Sequence, residues 1–220
     1  GHAPLLVDPS YREYLLNYAN LARKAIFSKA DARLYEAIRA LSDIKENPSY
    51  SQKEREQAEN TLKETTKKVT WLSEAAKAAR MSWWTVEYGL VLEEGQQKIY
   101  GAGLFSSLME SRACFSSKVK TKPLTLDCIK QSYDITHPQP QLFVAEGFSH
   151  LSEVLYELEE TMSFHKGGVY ALETALKSET VTHTSLDSGI QISGVLAEWE
   201  SEQTANQTVD FIRWQGPSQL

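Results

Sequence analysis

The 220-residue chain reads as an α+β protein, a mostly helical first part carrying one β-hairpin and then a small β-rich tail. Three observations predict this. Apolar residues recur at helical spacing through most of the chain before Gly89. That period then gives way to two short runs on either side of Glu93-Glu94-Gly95-Gln96-Gln97. Beyond Gly167-Gly168, three runs with strand-like composition follow one another.

Asp8-Pro9 places an N-cap before a proline at the first helical position, and Tyr11, Tyr14, Leu15, Tyr18, Leu21, Ala22 and Ala25 then keep helical spacing. A first helix is expected from about Pro9 to about Phe27. A second begins near Asp31, carries Leu34, Ile38, Leu41 and Ile44 on one stripe, and stops before Pro48. Ser51 with Glu54 is a capping-box pattern that opens a third. Ala58, Leu62, Val69, Leu72, Ala76 and Ala79 hold the period with no glycine or proline before Gly89, so this helix is expected to continue past Trp71. Its first part pairs with the second helix as an arm. Strands follow at Tyr88–Leu92, Lys98–Gly103 and Gln141–Ala145. Ser149 is expected to cap a helix that buries Leu151, Val154, Leu155, Leu158 and Met162. The tail offers a helix near Val169–Lys177 and strands at Val181–Leu186, Ile190–Leu196 and Thr208–Trp214. Two domains are therefore expected, residues 1–166 and 167–220, and both chain ends read as cuts.

With 41% hydrophobic residues the chain can bury a sizeable core. A formal charge of −6 gives no general electrostatic reason to bind nucleic acid or an anionic membrane. No window approaches the roughly 20 apolar residues needed to span a bilayer. Cys114 and Cys128 fit no CxxC spacing and no apolar leader precedes them, so a cytoplasmic location is expected. The expected partners are small molecules or proteins. The tail lacks sustained heptads, so the arm around Asp43–Val69 is the surface expected to mediate any homo-oligomer.

One segment carries chemistry. An isolated glutamate at a helix end is usually a surface group, but Glu87 stands among Trp83, Trp84 and Tyr88. Carboxylates seldom sit among large aromatics unless paired, protonated or metal-bound. Trp83 and Tyr88 read as core aromatics covering a helix end, a role compatible with lining a pocket for an aromatic ring. The Gly101-Ala102-Gly103 turn is no phosphate loop, because no strand–GxGxxG–helix order surrounds it. His137, His150, His165 and His183 have no mutual metal-ligand spacing, and Cys114 has no recognisable base nearby, which favours a structural thiol.

Trp83-Trp84-Thr85-Val86-Glu87-Tyr88-Gly89-Leu90, followed by Ile99-Tyr100-Gly101-Ala102-Gly103-Leu104-Phe105-Ser106-Ser107, resembles the iron-site signature of the pterin-dependent, non-haem iron aromatic amino acid hydroxylases. Gly1-His2-Ala3-Pro4-Leu5-Leu6 is similar to the second half of that family's HExxGH helix, and Gln139-Pro140-Gln141-Leu142-Phe143-Val144-Ala145-Glu146 to a strand late in its catalytic domain. The resemblance covers roughly residues 1–165 in the family's order. Residues 168–220 resemble an extension of the longer bacterial members.

The resemblance implies Fe(II) held by two histidines and a glutamate, with Glu87 the carboxylate and His2 the second histidine. A face of two imidazoles and one carboxylate suits Fe(II) and leaves positions open for dioxygen. A Gly-His start is also what a cleaved tag leaves, although Ala3-Pro4-Leu5-Leu6 favours native sequence. The first histidine would precede Gly1. The resemblance further implies tetrahydrobiopterin as cofactor, an aromatic amino acid and O2 as substrates, and hydroxylation of phenylalanine to tyrosine. It sets Trp83, Tyr88, Gly103 and Ser106 at the substrate, with Ser106 also able to orient an iron histidine. Animal members usually carry phenylalanine where Tyr88 stands. The pterin contacts belong to a part of the family's catalytic domain not matched here, so no pterin-binding residue is assigned and the 220 residues alone are expected to be inactive. The alternative is a metal-free helical interaction module that keeps the scaffold, and the residues upstream of Gly1 would discriminate the two.

Overall fold

The computed structural model describes residues 3–135, 137–201 and 209–219. After a 3-10 turn at Ala3–Val7 come α1 (Pro9–Lys24), α2 (Lys29–Glu46), α3 (Gln52–Lys67) and α4 (Glu74–Ser82), which runs into a π-helical turn at Trp83–Glu87. β1 (Leu90–Glu93) and β2 (Gln96–Ile99) follow, then α5 (Ala102–Ser106), α6 (Leu108–Ala113), β3 (Lys120–Pro123), a 3-10 turn at Leu126–Lys130, β4 (Gln141–Ala145) and α7 (Phe148–Glu160). The chain continues through α8 (Ser163–Lys166), α9 (Gly168–Ser178), β5 (Val181–Ser185), β6 (Gln191–Ser201) and β7 (Val209–Gln219). This is an α+β fold.

Two compact units divide the chain. One comprises the residues up to Ala25 with Lys77–His165, and the other Ile26–Ala76 with Lys166 onward. The expected split was 1–166 and 167–220. The α2–α3 hairpin groups with the residues from Lys166 onward. Contacts distant in sequence account for it: Ile26 packs on the core of Leu172, Ala175 and Leu196, the Thr180 hydroxyl donates to the Phe27 carbonyl at 2.5 Å, and Lys29 pairs with Glu179 at 3.6 Å.

In the first unit, α1 lies on α7, and Tyr11, Tyr14 and Leu21 share a core with Met81, Trp84, Phe143, Leu151, Val154, Leu155, Leu158 and Met162. A four-stranded sheet in the order β2-β1-β4-β3 adjoins it. β1 and β2 are antiparallel, whereas β4 runs parallel to both β1 and β3. In the second unit, α2 packs against α3, and the antiparallel sheet β5-β6-β7 contacts α9 through β6.

Several sequence expectations are corrected. The third helix does not run unbroken, because it stops at Lys67 and α4 restarts at Glu74. Ser73 supplies the missed signal, its buried hydroxyl accepting from the Ala76 amide at 3.0 Å as an N-cap does. Helix α2 begins at Lys29, close to its expected start, through a capping box between Ser28 and Asp31 that the sequence reading did not use. The hairpin loop is two residues, not five, because Glu94 and Gly95 both take positive φ (51° and 76°) as a tight type I′ turn requires. Helix α7 starts at Phe148 with no side-chain cap from Ser149. Gly103 and Ser106 lie on the short helix α5, not on a strand. β3 had no forecast.

Candidate active site

The site grows from the π-helical turn. The Tyr88 amide donates to the Trp83 carbonyl at 2.8 Å, an i to i+5 bond that widens the helix. In an α-helix, residues five apart point well away from each other, whereas the wider turn brings them towards one face. Trp83 and Tyr88 accordingly stack, with ring centroids 4.7 Å apart and planes at 19°. Thr85 pins the turn from behind: its hydroxyl donates to the Met81 carbonyl at 2.6 Å and lies 2.7 Å from the buried Tyr14 hydroxyl. Burial raises the Tyr14 hydroxyl's pKa despite the bond with Thr85.

The glycines of Gly101-Ala102-Gly103 let α5 press against the end of this turn. A Cβ on Gly101 would stand 2.5 Å from the Glu87 carbonyl oxygen and the Gly89 nitrogen. On Gly103 it would stand 3.1 Å from both Glu87 Oε2 and Tyr88 Cε2. The half-buried Glu87 carboxylate therefore lies close beside the Gly103 backbone. Its charge is felt nearby: the Tyr11 hydroxyl is pushed up to about 12 by burial and then by Glu87. Tyr88 is also pushed up to about 12, first by burial and then by Glu110, to which its hydroxyl donates at 3.2 Å. The other Glu110 oxygen accepts from the Gln139 amide at 3.1 Å.

The structure thus brings four of the residues singled out from sequence together: Trp83, Glu87, Tyr88 and Gly103. Ser106 lies at the end of the same short helix, exposed, with its hydroxyl donating to the Gly103 carbonyl at 3.0 Å. His2 lies outside the described residues. Among the described residues no three His, Cys, Asp or Glu side chains converge as a metal site. They supply one carboxylate of the right chemistry for Fe(II), and do not by themselves complete a coordination set. His137, His165 and His183 are exposed, the half-buried His150 accepts from the Glu146 amide at 3.1 Å, and both cysteines are buried free thiols.

Sequence reasoning missed Tyr133 and Glu110, and gave Gln139 no role beyond a place in the late strand segment. Tyr133 stacks on Trp83 with centroids 4.3 Å apart and planes at 10°. It sits in an irregular segment with no periodicity to mark it. Its neighbours are fixed from α4 and the π turn, where Arg80 donates to the Ile129 carbonyl at 3.0 Å and Trp84 Nε1 to the Gln131 carbonyl at 3.1 Å. Gln139, almost fully buried, closes the segment by donating to the carbonyls of Asp134 and His137 at 2.6 and 3.0 Å. Two buried polar atoms beside these groups, Tyr11 Oη and Trp83 Nε1, have no hydrogen-bond partner among the described residues.

The family model for biopterin-dependent aromatic amino acid hydroxylases matches residues 70–201. Rat phenylalanine-4-hydroxylase is 46% identical over 78 residues, 35% of this chain and 17% of that protein. A probable aromatic amino acid hydroxylase of Chlamydia pneumoniae is 32% identical over 160 residues, 72% of this chain and 36% of that protein. The chain thus spans well under half the length of these relatives. A phenylalanine hydroxylase structure from Legionella pneumophila superposes with a TM-score of 0.46 at 20% identity, covering 73% of this chain and 52% of that one. With more than half of its length, Glu87 and the Gly101-Ala102-Gly103 turn included, inside the matching model, the chain belongs to the biopterin-dependent aromatic amino acid hydroxylase family.

Proposed function

We propose that these residues contribute the carboxylate and the aromatic wall of an Fe(II)- and tetrahydrobiopterin-dependent monooxygenase that hydroxylates phenylalanine to tyrosine with O2. One observation carries the reading: a single helical turn presents Glu87 beside Gly103 and aligns the rings of Trp83 and Tyr88. Glu87 and His2 are the residues that would hold the iron. When bound, iron, reduced pterin and O2 together supply the oxidising power for ring hydroxylation. The protein's own residues supply order. Trp83 and Tyr88 form an apolar wall for an aromatic ring, where a well-packed ring pair is worth about 1 kcal/mol. Gly103 leaves its backbone bare, and Ser106 lies exposed where it could meet the polar end of an amino acid. Under the same reading the helical hairpin within residues 43–69 is a surface for self-association.

The test uses the product of the complete reading frame that contains these residues, supplied with Fe(II), tetrahydrobiopterin and phenylalanine. Wild-type protein should form tyrosine, and Glu87→Ala should lose that activity while melting as wild type does. Full activity in Glu87→Ala removes Glu87 from the site. A wild-type protein that hydroxylates no aromatic amino acid and binds no iron overturns the reading altogether.

A further inference from the structure

Trp83 is covered on both faces. Tyr88 and Tyr133 stack on its indole at 4.7 and 4.3 Å with nearly parallel planes. Two rings at those distances cannot lie side by side on one face without overlapping, so they occupy opposite faces. The two tyrosines are held differently. Tyr88 belongs to the π turn and is tethered through its hydroxyl to Glu110 at 3.2 Å. Tyr133 comes from the irregular segment whose backbone is fastened by Arg80, Trp84 and Gln139. Glu110 links the two holders, because it also accepts from the Gln139 amide at 3.1 Å. An indole closed on both faces cannot offer a face to an incoming ring. It presents only its edge.

We propose that Tyr133 is a positioning residue that, with Tyr88, clamps Trp83 so that a bound aromatic amino acid meets the indole edge rather than its face. The proposal rests on the function put forward above. An aromatic edge is the electropositive part of the ring, and edge-to-face contact is among the preferred geometries of aromatic pairs. The clamp fixes the indole orientation before the ligand arrives, so the ordering cost is not charged to binding. Tyr133 acts through its ring, not its hydroxyl.

The variants Tyr133→Phe, Tyr133→Leu and Tyr133→Met, made in the product of the complete reading frame, test this. Phenylalanine KM and kcat are measured together with near-ultraviolet circular dichroism and thermal melting. Tyr133→Phe should match wild type throughout, because the stack survives. Tyr133→Leu should melt cooperatively, change the near-ultraviolet aromatic signal, and raise KM roughly fivefold, the equivalent of the ~1 kcal/mol typical of an aromatic pair, with little change in kcat. Tyr133→Met refills the space and reports the same KM shift should the leucine variant not fold. A wild-type KM in the folded aliphatic variants overturns the clamp, as does an equal rise in Tyr133→Phe. An inactive wild type that fails to bind phenylalanine instead overturns the proposed function, and leaves the stack itself to be read from the circular dichroism.

Discussion

Replacing Gly101 or Gly103 with alanine adds one methyl group at neighbouring positions with opposite expected outcomes. At Gly101 the new Cβ would lie 2.5 Å from two backbone atoms, the Glu87 carbonyl oxygen and the Gly89 nitrogen. Ordinary contact needs roughly 3.5 Å, so about 1 Å must open between two packed backbones. Overpacking costs about 1–3 kcal/mol, and a clash with backbone on both sides belongs at the upper end. For the unit that holds the site, that cost corresponds to a fall in Tm of roughly 10 °C. At Gly103 the Cβ would lie 3.1 Å from Glu87 Oε2 and Tyr88 Cε2, side-chain atoms that can retreat by a few tenths of an ångström, and 3.2 Å from the Glu87 backbone carbonyl oxygen, a milder crowding than the 2.5 Å at Gly101. Alanine also gains about 0.5–1 kcal/mol over glycine within a helix, which offsets the crowding. Gly103→Ala should therefore melt within about 2 °C of wild type while displacing the Glu87 carboxylate. Thermal denaturation followed by circular dichroism decides the matter. A Gly101→Ala protein that melts with wild type, or a Gly103→Ala protein that falls as far, refutes the close-approach argument.

Thr85→Val removes the partner of the buried Tyr14 hydroxyl and should cost about 1–3 kcal/mol in urea denaturation, whereas Tyr14→Phe leaves Thr85 its bond to Met81 and should cost less. Equal losses in the two variants would contradict the direction of that network. Tyr11 and Tyr88 are both raised to about 12 in the folded chain, above the ordinary tyrosine value of about 10. The unfolded chain therefore releases these protons first, so their contribution to stability is complete below about pH 10 and is lost as pH rises towards about 12. Urea midpoints measured across that window should fall with pH, and Tyr11→Phe should fall less steeply. A flat profile refutes the burial of these hydroxyls.

What sequence revealed and what it hid divide along physical lines. Regular elements were legible where period and cap agree, as with Asp8-Pro9 opening α1 and Ser51 with Glu54 opening α3. The break before α4 was hidden because Val69 and Leu72 keep a helical period that the buried Ser73 cap overrides. The grouping of the α2–α3 hairpin with the tail was invisible, since it rests on contacts such as Ile26 against the cluster of Leu172, Ala175 and Leu196, far apart in sequence. At the site, Trp83, Glu87, Tyr88 and Gly103 form one short motif pair, so local sequence carries them. The π turn that aligns them leaves no signature in composition. Tyr133 and Glu110 reach the same place through an irregular segment and a short helix, where neither period nor capping points to a destination.

We propose Glu87 as the anionic group around which the site is built, and anaerobic Fe(II) titration examines that role without intermediaries. The product of the complete reading frame should take up one Fe(II) per chain. Glu87→Gln, close in shape but uncharged, should bind iron roughly a hundredfold more weakly or worse with its fold intact, because a divalent ion loses its carboxylate ligand. Wild-type affinity and stoichiometry in the glutamine variant would remove Glu87 from the iron site.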